Sequence, residues 1–499
     1  MRNIGSNREC FFDNYLIDEE KTTAPVRLHK PVRRGVLFEM DQPWEGCTHM
    51  HSLVFAQGTW RLYYIGQHNN REKRCVCVAE SKDGLQWTKP DLGIVEYEGS
   101  KHNNIILNNK MLDAFGFQGF DNFSVFYDES PCCKPDEKYK MVGWWFGHVA
   151  LVCLKSADGI HFTKCELITK DGEFDSQNRA FWSEGHGKYF CYFRGEHEPG
   201  KEIPLIDKSY TSRVARELFD PETFAMRDPG DGTASFMRDV RMIESRDFEN
   251  WSKAKPIAYN GKDFQIYNNC VFPYPRAPHI LIAFPLRYAE RKSWTKNYDA
   301  LCGREARMER MMIMARYGLA ITDSLFMSSR DGCNFTKYDE AFLPPPPENP
   351  GAFVYGDGAA VPAIIEVPSH VSGAENEYMI MVRENFRCVE GYNKMVKYTA
   401  RLDGFISRYS GSEPTKLVTK EFVYEGKALY ANIETSARGG AYFTLKCGEE
   451  SYTSCEIFGN ATDKPVFFED EGAVARLAGK PVTLEVEMFD CDLYAIKFE

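Results

Sequence analysis

Residues 81–87 read Ser-Lys-Asp-Gly-Leu-Gln-Trp, and the same turn pattern returns at residues 156–162, 245–251 and 329–335. Each copy has serine, then aspartate two positions later, then glycine or phenylalanine, and it closes on tryptophan or phenylalanine. The aspartate caps its own turn, the glycine takes a backbone conformation with positive φ, and the aromatic ring packs back on the sheet. Each copy follows a strand-like apolar run, so the pattern predicts a repeated tight turn between antiparallel strands.

Two further strand-like runs precede each turn, and those of the first unit cover residues 51–66. A fifth unit covers residues 359–385, and a weaker copy of the turn follows it around Asp403. Units of this kind predict an all-β fold, a five-bladed β-propeller followed by a small β-sandwich. The turns are spaced more widely than the roughly 40–50 residues of an ordinary blade, so we expect long loops that build a site on one face. The alternative is a stack of unrelated β-hairpins.

The composition changes near Ser412, where apolar and polar residues begin to alternate between glycine-rich turns. This period is typical of half-buried antiparallel strands, and the remaining length suffices for a sandwich. We therefore predict a propeller over residues 1–411 and a β-sandwich over 412–499. Residues 289–317 contain an amphipathic helical pattern with arginine and methionine on one face. This insertion is interpreted as a packing element or a homo-oligomer interface, with a substrate-gripping role as the alternative.

The 499 residues carry 61 basic and 72 acidic side chains, a net charge of −11. This balance argues against nucleic acid or an anionic membrane surface as a partner. The chain as given shows no apolar run long enough for a transmembrane helix and no secretory leader. We expect a cytoplasmic protein, or a periplasmic or secreted one if the natural start lies upstream. No convincing metal-ligand motif or cofactor motif occurs, so neither a metal nor a cofactor is expected.

In a propeller, the starts of the innermost strands and the ends of the second strands face one central channel. The carboxylates expected at these positions are Glu45, Asp121 and Asp175, with Asp357 and Glu384 as alternative acids. Two carboxyl groups on either side of a bond are what glycoside cleavage requires. The expected substrate-binding residues are Trp44, His49, His51, His68, Asn122, Trp145, His148, Asn178, Arg194, Arg241, Asn268, Arg287 and Tyr355.

At these hairpins the sequence resembles the five-bladed propeller glycosidases, most closely glycoside hydrolase family 32 and more distantly family 43. The best local match is the run Phe-Asp-Ser-Gln-Asn-Arg-Ala-Phe-Trp at residues 174–182. The resemblance implies a propeller joined to a C-terminal sandwich, and it implies that Asp175 binds hydroxyl groups and stabilises the transition state. Two motifs depart from the family. His49-Met-His51 stands where the nucleophile motif is expected, and Asn268 replaces the acid.

The leading prediction is a glycoside hydrolase that acts on the end of an oligosaccharide or glycan, with a small carbohydrate as substrate. One alternative is a glycoside phosphorylase, in which Arg194, Arg241 and Arg287 cradle the phosphate. A second alternative, from a different functional class, is a carbohydrate-binding propeller without catalysis.

Overall fold

A computed structural model of the chain describes residues 2–66, 74–113, 115–116, 120–145, 150–197, 237–291, 294–313, 315–387 and 391–499. Strands dominate these residues, and the helices are short. None of the described helices is long and apolar enough to cross a membrane.

The strands of the first half of the chain are β1 (Arg2–Gly5), β2 (Glu9–Cys10), β3 (Val26–Leu28), β4 (Val32–Glu39), β5 (His49–Ala56), β6 (Thr59–Gly66), β7 (Cys75–Ser81), β8 (Trp87–Thr88), β9 (Ile105–Asn108), β10 (Phe120–Tyr127), β11 (Tyr139–Trp145), β12 (Ala150–Ser156), β13 (Lys164–Thr169), β14 (Arg179–Ser183), β15 (Lys188–His197), β16 (Met237–Ser245) and β17 (Lys255–Pro256).

The strands of the second half are β18 (Ala258–Tyr259), β19 (Ile266–Asn268), β20 (Val271–Pro273), β21 (Leu281–Ala283), β22 (Leu286–Glu290), β23 (Ala320–Ser329), β24 (Asn334–Leu343), β25 (Ala359–Val367), β26 (Glu377–Glu384), β27 (Lys394–Arg401), β28 (Ile406–Ser410), β29 (Thr415–Val418), β30 (Phe422–Tyr424), β31 (Leu429–Cys447), β32 (Glu450–Thr453), β33 (Asn460–Val466) and β34 (Thr483–Phe498). The α-helices are α1 (Asn109–Asp113), α2 (Lys296–Asp299), α3 (Arg304–Ile313), α4 (Ala315–Leu319) and α5 (Ala473–Leu477).

The sheets have a propeller-like arrangement, and the predicted all-β fold is confirmed. Four sheets follow a four-strand path, in the orders β5-β6-β7-β8, β10-β11-β12-β13, β14-β15-β16-β17 and β25-β26-β27-β4. The prediction of five blades needs correction, because only these four sheets of the described chain follow a four-strand path, and the remaining unit forms a larger sheet of seven strands, β18 to β24. Its two inner strands are interrupted, by Cys270 with φ of 50° between β19 and β20, and by Pro285 between β21 and β22. Proline lacks the N–H that would continue the ladder.

The four predicted turns form as the pattern indicates. In the second copy, Asp158 Oδ1 accepts hydrogen bonds from the backbone N–H groups of Ile160 and His161, at 2.9 and 2.8 Å. Ser156 Oγ accepts one from Gly159, at 3.0 Å. The other three copies make the same bonds. The turn prediction is therefore confirmed.

These turns also join neighbouring sheets. Gly84, in the turn of the β5–β8 sheet, lies against Ile365 of the sheet that contains β25. Gly332, in the turn after β23, accepts a hydrogen bond at its carbonyl from Tyr192 Oη of β15, at 2.7 Å. A turn of one sheet thus packs on the sheet before it, which closes the sheets into a ring.

The N-terminal segment completes sheets that the rest of the chain begins. Strand β4 pairs with β27, with Phe38 opposite Met395. Strands β2 and β3 join an eight-stranded sheet with β28, β29 and β31 to β34, and β1 pairs with β30. Residues 2–28 therefore pair largely with the C-terminal segment, and the predicted division at residue 411 stays a prediction.

Helices α2, α3 and α4 fall in the part of the chain where a helical insertion is predicted. They pack around Trp294, Tyr298 and Met311, which are buried. The buried guanidinium of Arg307 donates hydrogen bonds to the carbonyl oxygens of Tyr298 and Leu301, at 2.9 and 2.8 Å. The role of this insertion as an oligomer interface stays a prediction.

Candidate functional site

One pocket collects side chains from all the sheets of the ring and from helix α4, and it encloses about 170 Å³. Its lining is strongly polar and charged. The residues that line it are His49, Met50, Arg74, Asp121, Asn122, Asp175, Arg194, Arg238, Tyr267, Asn268, Tyr317, Tyr355, Arg383, Phe386 and Arg387.

Irregular backbone at the starts of innermost strands shapes this pocket. Met50 and Asn122 have φ values of 55° and 53°, where the registers of β5 and β10 shift. A positive φ is uncommon for residues other than glycine, and it persists only where surrounding contacts impose it. Asn178 supplies such a contact, since its Nδ2 donates to the carbonyl of Asn122 at 2.8 Å. The two bulges lie beside His49 and Asp121, whose side chains line the pocket.

Asp121 is a buried carboxylate whose orientation is fixed by its neighbours. Its Oδ1 lies 3.3 Å from His49 Nε2 and accepts the N–H of Asn122 at 2.8 Å, while Arg74 donates to Oδ2. Burial alone would raise the pKa of Asp121, but the contacts with His49 and Arg74 outweigh it and hold that pKa below its ordinary value. Burial lowers the pKa of His49. Asp121 is therefore ionised at neutral pH.

Asp175 lies at the exposed rim of the same pocket. Its Oδ1 accepts a hydrogen bond from Asn122 Nδ2 at 3.2 Å, and its Oδ2 accepts one from Arg194 Nη1 at 3.0 Å. The Asp175 side chain is 68% exposed, whereas that of Arg194 is 6% exposed. Asn122 thus stands between the two aspartates, next to Asp121 in the chain and bonded to Asp175.

Tyrosines form another wall of the pocket. The hydroxyl groups of Tyr267 and Tyr355 lie 2.8 Å apart. The ring of Tyr317, from α4, stacks on that of Tyr355 with 5.5 Å between centroids. The insertion therefore contributes a pocket residue, and its role in gripping a substrate stays a prediction.

Arginines outnumber aspartates in this pocket by five to two. The lining therefore carries an excess of positive formal charge, although the whole chain has a net charge of −11. Arginine binds carboxylate and phosphate groups with two parallel hydrogen bonds, and its charge persists at neutral pH. The pocket is thus a local positive site in an acidic protein.

Three of the predicted carboxylates do not line the pocket. Glu45 is fully buried elsewhere, where it accepts hydrogen bonds from Tyr64 Oη at 2.6 Å and Lys89 Nζ at 2.7 Å. Glu384 is paired with Arg33, at 2.9 Å from Nη2. Asp357 is buried, and its Oδ1 accepts a hydrogen bond from the N–H of the pocket residue Phe386 at 3.0 Å. The prediction that these three face the shared channel is corrected, because their oxygens are used or enclosed by other parts of the fold.

The predicted binding residues divide in the same way. His49, Asn122, Arg194, Asn268 and Tyr355 line the pocket. Other predicted binding residues pack in the core or form ion pairs outside the pocket. His68 and His148 lie outside the described residues. The structure places six of the predicted binding residues away from the pocket. Trp44 bonds to Asn104, His51 stacks on Tyr64, and Trp145 packs on the core of the first two sheets. Asn178 bonds to backbone carbonyls, Arg241 pairs with Asp239, and Arg287 pairs with Asp323.

The sequence analysis did not assign several residues that line the pocket. Arg383 is the penultimate residue of β26 and Arg387 follows that strand, whereas the residue predicted there was Glu384. Consecutive residues of a strand point to opposite faces, so only one of Arg383 and Glu384 can face the pocket. The alternation of the strand does not determine which of the two it is. The other unassigned residues are Met50, Arg74, Arg238, Tyr267, Tyr317 and Phe386.

No protein-family model matches the chain, and no curated protein matches it. Similar solved structures include an N-acetylgalactosamine deacetylase from F. plautii in complex with blood group B trisaccharide, at 10% identity and TM-score 0.42, covering 75% of this chain and 94% of that one. A family 43 arabinoxylan arabinofuranohydrolase from Bacillus subtilis has 11% identity and TM-score 0.38, covering 94% and 99%. A member of family GH130, described among mannoside phosphorylases and hydrolases of β-1,2 mannosidic linkages, has 11% identity and TM-score 0.38, covering 81% and 99%. These low scores carry no conclusion about this chain, and the resemblance to family 32 gains no support from them.

Proposed function

We propose that this chain is a glycoside hydrolase that removes a sugar unit from the end of an oligosaccharide or glycan in the arginine-lined pocket. The observation that carries the proposal is that Asp121 and Asp175, from neighbouring sheets, line one pocket together with tyrosine faces and amide groups. Glycoside hydrolysis requires two carboxyl groups near the scissile bond. The pocket volume of about 170 Å³ is below the roughly 300–1,000 Å³ of pockets for larger ligands, which favours a terminal unit.

The two aspartates have different roles in this proposal. Asp121 is ionised and held by His49 and Arg74, so it stabilises the positive charge that develops on the sugar ring. Asp175 reaches solvent and is held by Arg194, so it binds substrate hydroxyl groups, as the family resemblance implies. Tyrosine rings supply flat faces against which a sugar ring packs.

Replacement of either aspartate by asparagine tests the proposal. Asp121→Asn and Asp175→Asn remove one charge each with little change of shape. The native protein is assayed against a panel of aryl glycosides and oligosaccharides, and kcat/KM of both variants on the best substrate is expected to fall about a hundredfold or more.

Asp323→Asn is the matched control, because Asp323 also pairs with an arginine, Arg287, but lies outside the pocket. Its activity is expected to equal that of the native protein. Full turnover by Asp175→Asn and Asp121→Asn would contradict the proposal. Sugar binding without any turnover by the native protein would favour the carbohydrate-binding alternative.

A further inference from the structure

Two arginines of the pocket pack against the same aromatic ring. The guanidinium carbons of Arg383 and Arg387 lie 3.6 and 4.6 Å from the ring centroid of Phe386. Arg383 is buried, and burial lowers its pKa to about 10, so it stays charged at neutral pH. Two like charges close to each other in a site partly screened from water repel each other, and an anion bound near both relieves this cost.

Within the described part of the chain, no carboxylate pairs with either of these arginines. Arg383 Nη1 donates to the carbonyl oxygen of Thr48 at 3.3 Å, and Arg387 Nη1 donates to that of Tyr355 at 3.0 Å. Among the described residues, no carboxylate forms an ion pair within 4.0 Å with either arginine. Asp357 contributes to the electrostatic surroundings of Arg383, but burial raises the pKa of Asp357 to about 7. Asp357 is therefore an incomplete counter-charge at neutral pH.

A third arginine of the pocket, Arg194, contacts the same pair of bonded tyrosines as Arg387. The guanidinium carbon of Arg194 lies 5.8 Å from the ring of Tyr267, and that of Arg387 lies 4.0 Å from the ring of Tyr355. Arg194 Nη1 bonds to Asp175, but its buried Nε and Nη2 atoms have no hydrogen-bond partner in the described part of the chain. Buried donors without a partner are costly, so their presence in a pocket points to a ligand that accepts from them.

We propose that Arg194, Arg383 and Arg387 form an oxyanion subsite that binds a carboxylate or phosphate group of the ligand, with the hydroxyl groups of Tyr267 and Tyr355 beside it. This inference rests on the proposed function for the carbohydrate that occupies the rest of the pocket. The anion has two chemical sources, an acidic group carried by the sugar itself or free inorganic phosphate. Both offer the oxygen geometry that arginine binds with paired hydrogen bonds.

Binding measurements by titration calorimetry test the subsite without any need for turnover. Inorganic phosphate, D-glucuronate and neutral D-glucose are titrated into the native protein at neutral pH and matched ionic strength. We expect at least one of the two anions to bind about tenfold or more tightly than glucose. Tighter phosphate binding identifies free phosphate as the source, and tighter glucuronate binding identifies an acidic sugar. Equal binding of glucose and both anions would overturn the proposal.

Charge-removing variants locate the subsite. Arg387→Met and Arg194→Met are each expected to weaken binding of the preferred anion about tenfold or more. Arg387→Met is also expected to leave glucose binding nearly unchanged, whereas Arg194→Met removes the partner of Asp175 and is judged on the anion alone. Arg287→Met is the control, since Arg287 pairs with Asp323 outside the pocket, and its anion affinity is expected to match the native protein. Thermal unfolding of each variant verifies folding, and Arg387→Lys provides a second, charge-preserving variant that is expected to retain part of the affinity. Unchanged anion affinity in folded Arg387→Met and Arg194→Met would overturn the assignment.

The outcome is separable from that of the proposed hydrolase activity. Asp121→Asn and Asp175→Asn address turnover, whereas the arginine variants address anion affinity in the absence of a reaction. Anion binding that depends on the arginines, in a protein that cleaves no glycoside, would leave the subsite standing and remove the hydrolase proposal.

Discussion

Tyr63 Oη donates a hydrogen bond of 3.0 Å to the carbonyl oxygen of Gly159, and this bond joins β6 of one sheet to the turn of the next. Gly159 has a φ of 77°, and a Cβ atom placed on it would lie 2.5 Å from Tyr63 Oη and 2.7 Å from Tyr139 Cδ1. We expect Gly159→Ala to lower the free energy of unfolding by about 2–4 kcal/mol, from backbone strain and overpacking together. Denaturant unfolding followed by fluorescence measures this loss.

Gly93→Ala separates the two causes. Gly93 also has a positive φ, 67°, but nothing lies within 4 Å of the position that its Cβ would take. We expect only the backbone term here, about 1–2 kcal/mol. Equal losses in the two variants would show that contact between the turn and the preceding sheet contributes nothing measurable.

Asp357 makes the stability of the ring depend on pH. Burial raises the pKa of this carboxyl to about 7, against an ordinary value of 3.8. A group whose pKa is higher in the folded state stabilises the fold below its unfolded pKa, and this contribution is lost as the pH rises through the folded pKa. Between the two values the free energy of unfolding should therefore fall by about 1.4 kcal/mol per pH unit from this group alone.

Asp357→Asn is the variant that tests this dependence. Asparagine retains an oxygen to accept the N–H of Phe386, which lies 3.0 Å from Asp357 Oδ1, but it carries no titratable proton. We expect the unfolding free energy of Asp357→Asn, measured in urea from about pH 4 to 7, to decline less with pH than that of the native protein. Parallel curves for the two proteins would contradict the assignment of a raised pKa to Asp357.

The repeated turn could be predicted from the sequence because every interaction that builds it is local. Ser156, Asp158 and Gly159 lie within four positions and bond to each other or to adjacent backbone. The closing of the last sheet by β4 could not be predicted, because β4 and β27 are distant in the sequence and no short pattern links them. Pairing between strands so distant in sequence depends on how all the sheets pack together.

Part of the candidate site could be predicted from the positions of the strand ends. Asp121, Asp175 and Arg194 were identified because they lie near strand ends that converge. The expected position of Glu45 was not found, because the sequence does not distinguish a carboxylate that faces a channel from a buried one that bonds to Tyr64 and Lys89. Arg383 was passed over for its neighbour because a single register step exchanges the two faces of a strand.

Tyr355 is expected to ionise at lower pH than an ordinary tyrosine. Burial would raise its pKa, but the positive charge of Arg387 and the hydrogen bond with Tyr267 outweigh burial and lower that pKa below 10. Spectrophotometric titration of tyrosinate absorbance should therefore show an early step in the native protein that is missing in Tyr355→Phe. Arg387→Met should move this step to higher pH, since it removes the stabilising charge. Tyr430→Phe, in β31 of the C-terminal sheet, should retain the step, and an early step that survives in Tyr355→Phe would assign it to another tyrosine.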